Sequence, residues 1–213
     1  MVAVLVFAIG STPTALAGGV EAMKLPEPVK EGGKPLMSAL KERRTTRSFS
    51  NTKLSAETLS NLLWAAFGIN RPDGKRTAPS AWNWQETSIY VTSAEGAFLW
   101  DAQKNTLEKI TSLDLRALTG SQNFVNEAAV NLVYVVDYAK LNVQEEDLCT
   151  LVGADVGMIA ENVCLFCASE GLATVVRAGV QKEELSKALG LDSRQKPILA
   201  QSVGYPGKGG ANY

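Results

Sequence analysis

One stretch limits this chain more than any other. From Glu145 to Ser169 the sequence has a helical pattern, with Leu148, Leu151, Val152, Val156, Ile159, Val163 and Phe166 placing apolar side chains on nearly every side. A helix with one apolar stripe can lie at a surface, but one that is apolar all round has to be enclosed. Asp155, Glu161 and Asn162 lie inside the stretch and argue against a membrane span, so protein must supply the cover. A chain of 213 residues makes one domain with a sizeable core. Covering this helix on all sides is more than such a domain readily does, so a second copy of the chain is expected against it. On that reading a charge placed in the helix, as in Ile159→Lys, loses the dimer.

The rest alternates between helical and extended patterns. Ser55 to Phe67 predicts a helix, with Ser55 as N-cap, Leu59, Leu62, Leu63, Ala66 and Phe67 at helical spacing, and Gly68 as the stop. Thr87 to Thr92 alternates as a strand. Phe98 to Trp100 and Thr106 to Ile110 flank Gln103-Lys104-Asn105 as a hairpin. Leu113 to Leu118 and Phe124 to Ala129 read as short helices, and Asn131 to Tyr138 as a strand with a continuous apolar, buried centre. Gly171 ends the long helix. Leu172 to Val176 is a strand, Lys182 to Leu189 a helix stopped by Gly190, Pro197 to Val203 a last strand, and Gly204 to Lys208 a turn.

At the other end, Val2 to Ile9 is continuously apolar and is followed by small residues and Ala15-Leu16-Ala17. This is the h-region and cleavage pattern of a secretory signal, without its positive n-region. Residues 1–17 therefore read as a signal remnant. Its removal would make the protein exported and periplasmic; if it is kept, the protein is cytoplasmic. The run is too short to cross a bilayer. Residues 18–35, with several Gly and Pro, read as a linker or extended arm, which leaves 36–213 as the folded domain.

The chain has no histidine. That excludes Ser-His-Asp and Cys-His catalysis and His-ligated zinc, so its chemistry must rest on other side chains or on a cofactor. A net charge of -1 argues against an electrostatic nucleic-acid binder. Cys149, Cys164 and Cys167 are odd in number, so they cannot all pair within one chain. Cys164 and Cys167 sit in the apolar helix and read as small core residues, metal or redox chemistry being the weaker alternative.

Two stretches remain that a fold alone does not require. Arg43-Arg44-Thr45-Thr46-Arg47 concentrates guanidinium forks and hydroxyls just past a short run with Leu36 and Leu40, which suits phosphate oxygens; alone, it is also an ordinary basic turn. Pro79-Ser80-Ala81-Trp82-Asn83-Trp84-Gln85 interleaves tryptophans with amides, either as a loop anchored on the core or as the wall of a cofactor or substrate site.

Taken in order, these two stretches resemble the R-R-[ST]-x-R and P-S-x-x-N-x-Q signatures of the FMN-dependent nitroreductase family. Gly153 to Thr174, ending Glu170-Gly171-Leu172-Ala173-Thr174, is similar to that family's central helix and G-L-G-T turn, with Ala173 in place of a glycine, and Val203-Gly204-Tyr205-Pro206 also fits. The resemblance spans roughly residues 36–208. It implies an α+β fold, an α/β/α sandwich on a mostly antiparallel sheet, with FMN at the interface of a homodimer. It implies that Arg43, Arg44 and Thr45 hold the phosphate and ribityl end, with Arg47 near the pyrimidine edge of the flavin. Ser80, Ala81 and Asn83 would come from the partner subunit, with Gln85 nearby. Backbone at Ala178 and Gly179 would face flavin N5 and O4, and Lys208 would stand in for a C-terminal cation on the phosphate. The implied activity is ping-pong reduction of nitroaromatic or quinone acceptors with NAD(P)H or another donor. The alternatives are a specialised flavin dehydrogenase, such as an azoline oxidase or a flavin-cannibalising enzyme, and a non-catalytic flavin-binding protein.

Overall fold

The strand β5 (Val130–Asp137) shows how the layers are built. Successive side chains of a strand point to opposite faces. Val130, Leu132, Tyr134 and Val136 enter one apolar cluster and Val133 and Val135 another, so β5 belongs to a sheet covered on both sides. The computed structural model describes residues 21–208. In chain order its elements are β1 (Ala22–Lys24), α1 (Leu36–Glu42), α2 (Ala56–Phe67), β2 (Thr87–Ser93), β3 (Gly96–Asp101), β4 (Thr106–Thr111), β5, α3 (Glu145–Glu170), β6 (Ala173–Arg177), α4 (Lys182–Leu189) and β7 (Gln195–Gly204). The strands form one sheet in the order β1-β4-β3-β2-β5-β7-β6, and every pairing is antiparallel. Helices α2 and α3 build the larger core on one face, while Leu185 and Leu189 of α4 close the other. The mixed fold expected from the resemblance is therefore present.

Local signals place the helices. The Ser55 hydroxyl accepts the Thr58 N–H at 3.0 Å and caps α2, and Gly171, at φ 70°, ends α3 by donating its N–H to the Cys167 carbonyl. Three expectations change. The short helices near 113–118 and 124–129 are single 3-10 turns, Arg116–Thr119 and Asn123–Asn126. Of the stretch read as a linker or arm, residues 22–24 pair with β4 and Leu25 is buried in the core. The apolar run and cleavage pattern read as a signal lie outside the described residues.

The third change concerns α3. Its own chain already buries Val152, Val156, Ile159, Ala160, Val163 and Cys167, against α1, α2 and the strands β6 and β7. Ile159 is 1% exposed inside this core, so it tests folding and not assembly. Past its first turns, what stays open is a strip at helical spacing, with Gly153, Ala154, Met158 and Glu161 exposed and Gly157 and Leu165 half-buried. Helix α1 packs on α3 and leaves Leu36, Met37 and Leu40 exposed. By length and hydropathy α3 is the one helix among the described residues able to cross a membrane, but it is laid against the sheet as a core helix.

Candidate functional site

Helix α1 ends at Arg43, where ψ turns to 124° and the chain becomes extended. The stretch that follows lies along the outer edge of β6 and the end of β7. The Thr46 N–H donates to the Thr174 carbonyl at 2.9 Å, Phe49 bridges to Pro206, and the Gly207 N–H donates to the Ser48 carbonyl at 3.0 Å. Glycine is required at 207, because a Cβ there would stand 2.8 Å from the Phe49 carbonyl oxygen. Between this seam and the last turns of α3 is a pocket of about 400 Å³, lined among others by Arg44, Thr46, Cys164, Gly171, Thr174 and Gly207. Lys34 and Glu42 also line it and are paired with each other at 2.6 Å.

Residues two apart on extended backbone share a side. Arg44 and Thr46 line the pocket, whereas Arg43, Thr45 and Arg47 do not. Arg43 reaches the open strip of α3, its Nε 4.0 Å from Glu161. Arg44 and Arg47 are exposed and make no ion pair among the described residues. Lys208 is exposed directly after Gly207. The pocket can therefore offer cationic and hydroxyl donors to an anion. Sequence reasoning chose Thr45 and passed over Thr46, although the alternation of an extended segment was the available signal.

Cys164 and Cys167 line this pocket from the side of α3. Burial pushes the Cys164 thiol up to about 11 and the Cys167 thiol higher still, so both are neutral near pH 7 and unsuited to nucleophilic attack. No group of three or more metal-ligating side chains occurs among the described residues.

The second predicted segment is elsewhere. Asp155, on α3, accepts the Ala81 N–H at 2.9 Å and fixes the loop to the first half of the helix. From Asp155 to Cys164 the helix rises about 13 Å at ~1.5 Å per residue. Ser80, Ala81, Asn83 and Gln85 accordingly do not line the pocket beside Arg44. Gln85 holds the loop together: its side chain accepts from Arg76 at 2.7 Å and donates to Gly74 and Asn83, and its N–H donates to the Ser80 hydroxyl. Trp82 (φ 47°), Asn83 (φ 57°) and Gln85 (φ 48°) all adopt the left-handed conformation. Such strain costs of order 1–3 kcal/mol per residue and collects at functional sites. Trp82 stacks on Trp84 at 4.8 Å yet is 74% exposed, so it does not anchor the loop in the core.

Under this loop Glu86 is fully buried. It accepts from the Thr87 hydroxyl at Oε1 and has no partner at Oε2. Burial, with a smaller contribution from the Asp155 charge, raises its pKa above the usual carboxylate value. The fold thus favours the protonated form: this stability is complete below the ordinary pKa and is lost as pH rises through the raised one. Glu86→Gln is expected to raise the melting temperature at pH 8 by about 2–4 °C, equivalent to about 1 kcal/mol, and by less at pH 4. Melting curves at the two pH values check this, and an equal shift at both would contradict it.

The third predicted segment, Ala178-Gly179, follows β6 and is exposed; a Cβ added at Gly179 would meet open space. It stands free for contact with a ligand.

The sequence profile described as Nitroreductase family matches residues 40–205. A provisionally named nitroreductase of Methanocaldococcus jannaschii is 28% identical over 182 residues, 79% of this chain and 90% of that protein. A crystal structure of a provisionally named nitroreductase from Ralstonia eutropha JMP134 superposes with a TM-score of 0.84 at 36% identity, covering 94% of this chain and 97% of that one. An NADPH:FMN oxidoreductase from Vibrio harveyi, complexed with NAD+, shares the fold with a TM-score of 0.60 at 21% identity, over 80% of this chain and 68% of its own.

Proposed function

Because the chain belongs to the nitroreductase family, we propose that it is an FMN-dependent oxidoreductase working by ping-pong, with its sites shared between two copies. The observation that carries this is the separation just described. Cationic donors gather at one end of α3, while the strained, amide-rich loop sits about two and a half turns away on the same helix, so a twofold partner is what would bring them together.

The residues fit the cofactor. Pockets of roughly 300–1,000 Å³ take molecules of this class, and the Arg44 pocket holds a guanidinium with no ion pair among the described residues and a threonine hydroxyl two residues on. Arg43, Arg44 and Thr45, with Thr46, would hold the phosphate and ribityl end, with Lys208 close by. Arg47 would stand near the pyrimidine edge, where a cation offsets negative charge that builds up on reduction. Ser80, Ala81 and Asn83 would come from the partner. Gln85, whose side chain is spent inside its own loop, would shape that contact without making it. Backbone at Ala178 and Gly179 would complete the cradle. Bound FMN would supply the redox chemistry, taking a hydride from NAD(P)H or another donor and passing electrons to a nitroaromatic or quinone acceptor. No histidine is needed, since protons can come from solvent.

The exposed Leu36, Met37 and Leu40 of α1 and the strip through Gly153, Gly157 and Met158 of α3 support the dimer. An apolar patch of this kind marks an interaction surface, and glycines there let a second backbone come close. Mixing Arg43→Ala chains with Asn83→Ala chains is expected to restore about a quarter of the sites, because statistical exchange makes half the dimers mixed and each then has one intact site. Flavin fluorescence titration reads this, and no recovery would argue for sites within one chain. For the function itself, heat release and mass measurement should give FMN, and anaerobic NADH or NADPH should bleach the bound flavin. An FAD mass or no flavin after reconstitution would overturn the proposal, and flavin that no donor reduces would favour a non-catalytic binding protein.

A further inference from the structure

Just before the exposed Ala178-Gly179 backbone stands a cation that the proposed chemistry does not use. Arg177 ends β6, is 7% exposed, and forms no ion pair among the described residues. Its guanidinium donates to the Thr119 carbonyl and hydroxyl, to Asn131 Oδ1 of β5 at 2.8 Å and to the Ser202 hydroxyl of β7 at 3.0 Å, and lies 5.8 Å from the Phe124 ring centre. Nε has no partner. Burial brings its pKa down to about 10, which leaves it charged at neutral pH. Burying a charge without a counter-ion is costly, so its place calls for a reason.

The contacts supply one. Four residues later, the Gln181 N–H donates to the Leu118 carbonyl at 3.1 Å and its side-chain amide to the Ala117 carbonyl at 3.2 Å. Arg177 and Gln181 therefore clamp both ends of the Ala178–Val180 stretch to one turn, Arg116–Thr119. That turn is itself pinned, because Arg116 is bonded to Asp114 and donates to the Ala128 carbonyl at 3.0 Å. Between the clamps the Val180 N–H closes a tight turn on the Ala178 carbonyl at 2.9 Å. Room for the fork is reserved as well, since a Cβ at Gly120 would stand 2.0 Å from Nη1.

We infer that Arg177 is a positioning residue for the flavin site: through its fork it sets the exposed Ala178-Gly179 backbone that the proposed FMN would contact. This rests on the flavin reading, but half of its test does not need flavin. In apoprotein, hydrogen exchange at the bonded amides of Val180 and Gln181 is expected to speed up at least tenfold in Arg177→Gln and in Gly120→Ala, which drives a methyl group into the fork. After FMN is added, the same variants should bind it at least tenfold more weakly, and the midpoint potential of the bound flavin should shift. Arg177→Lys keeps the charge and loses the fork, so it should behave like the glutamine variant; full rescue by lysine would overturn the role of the fork. A purely structural arginine would lower the melting temperature while exchange at the Val180 and Gln181 amides, affinity and potential stayed at wild-type values well below that temperature, and this too would overturn the inference. If Arg177→Gln does not fold, Gly120→Ala and Gln181→Ala decide by the same readings. Wild-type protein that binds no flavin refutes the proposed function, and the exchange result on apoprotein still stands or falls by itself.

Discussion

Ile159→Lys is expected to abolish folding, and Met158→Lys, one residue away, to leave the fold intact and split the proposed dimer. Ile159 is 1% exposed, enclosed by α2 and the sheet within its own chain. Lysine there loses the packing of a large aliphatic side chain and buries a charge with no partner, together more than about 4 kcal/mol. A typical domain has only about 5–15 kcal/mol to lose. Met158 is 38% exposed on the open strip. A change there should stay within about 0.5 kcal/mol of wild type in the monomer, as surface substitutions do. Circular dichroism with analytical ultracentrifugation separates the two. Ile159→Lys recovered as a folded monomer would show that α3 is less enclosed by its own chain than the contacts indicate. Met158→Lys still dimeric would move the interface off this strip.

The second large effect falls on the proposed flavin binding. Arg43→Ala or Arg44→Ala is expected to weaken FMN binding by about one to two powers of ten, since a charge-assisted hydrogen bond contributes roughly 1.5–3 kcal/mol. The two should differ in their side effects. Arg44 lines the pocket and has no ion pair to lose, so its removal should leave the melting temperature of the apoprotein unchanged. Arg43 lies 4.0 Å from Glu161 on the exposed strip, so its removal should also weaken assembly slightly. Fluorescence titration and sedimentation measure both, and unchanged FMN affinity in both variants would remove the phosphate assignment.

Much of the fold could be read because local signals agreed with one another. Ser55 and Gly68 bracket a helical apolar pattern and bracket α2 in space; the unbroken apolar run of β5 could only be a strand buried on both faces. β1 escaped because three residues with exposed side chains carry no pattern. Which faces of α3 its own chain would cover was also hidden, because Ile159 and Met158 are both apolar and only the packing of α1, α2 and the sheet tells them apart. In the site, the three motifs were visible, and alternation could have picked Thr46 over Thr45, but nothing showed that Asp155 holds the tryptophan loop. The left-handed backbone at Trp82 gives no sign in sequence, because no glycine marks it. Arg177 ends a strand among apolar residues, and its role depends on Thr119, Asn131 and Ser202, which are far from it in the chain.

The seam that joins Phe49 to Pro206 and Ser48 to Gly207 sets an order of events in the making of the protein. The arginine segment is made about 160 residues before the residues that close the pocket beside it. At roughly 5–20 residues per second the interval is roughly 10–30 s. Nascent chains stalled before Lys196 should carry no flavin, whatever the cofactor concentration. On the proposed flavin reading, loading follows the synthesis of Gly207, so a cell short of the cofactor would accumulate folded apoprotein rather than unfinished folds.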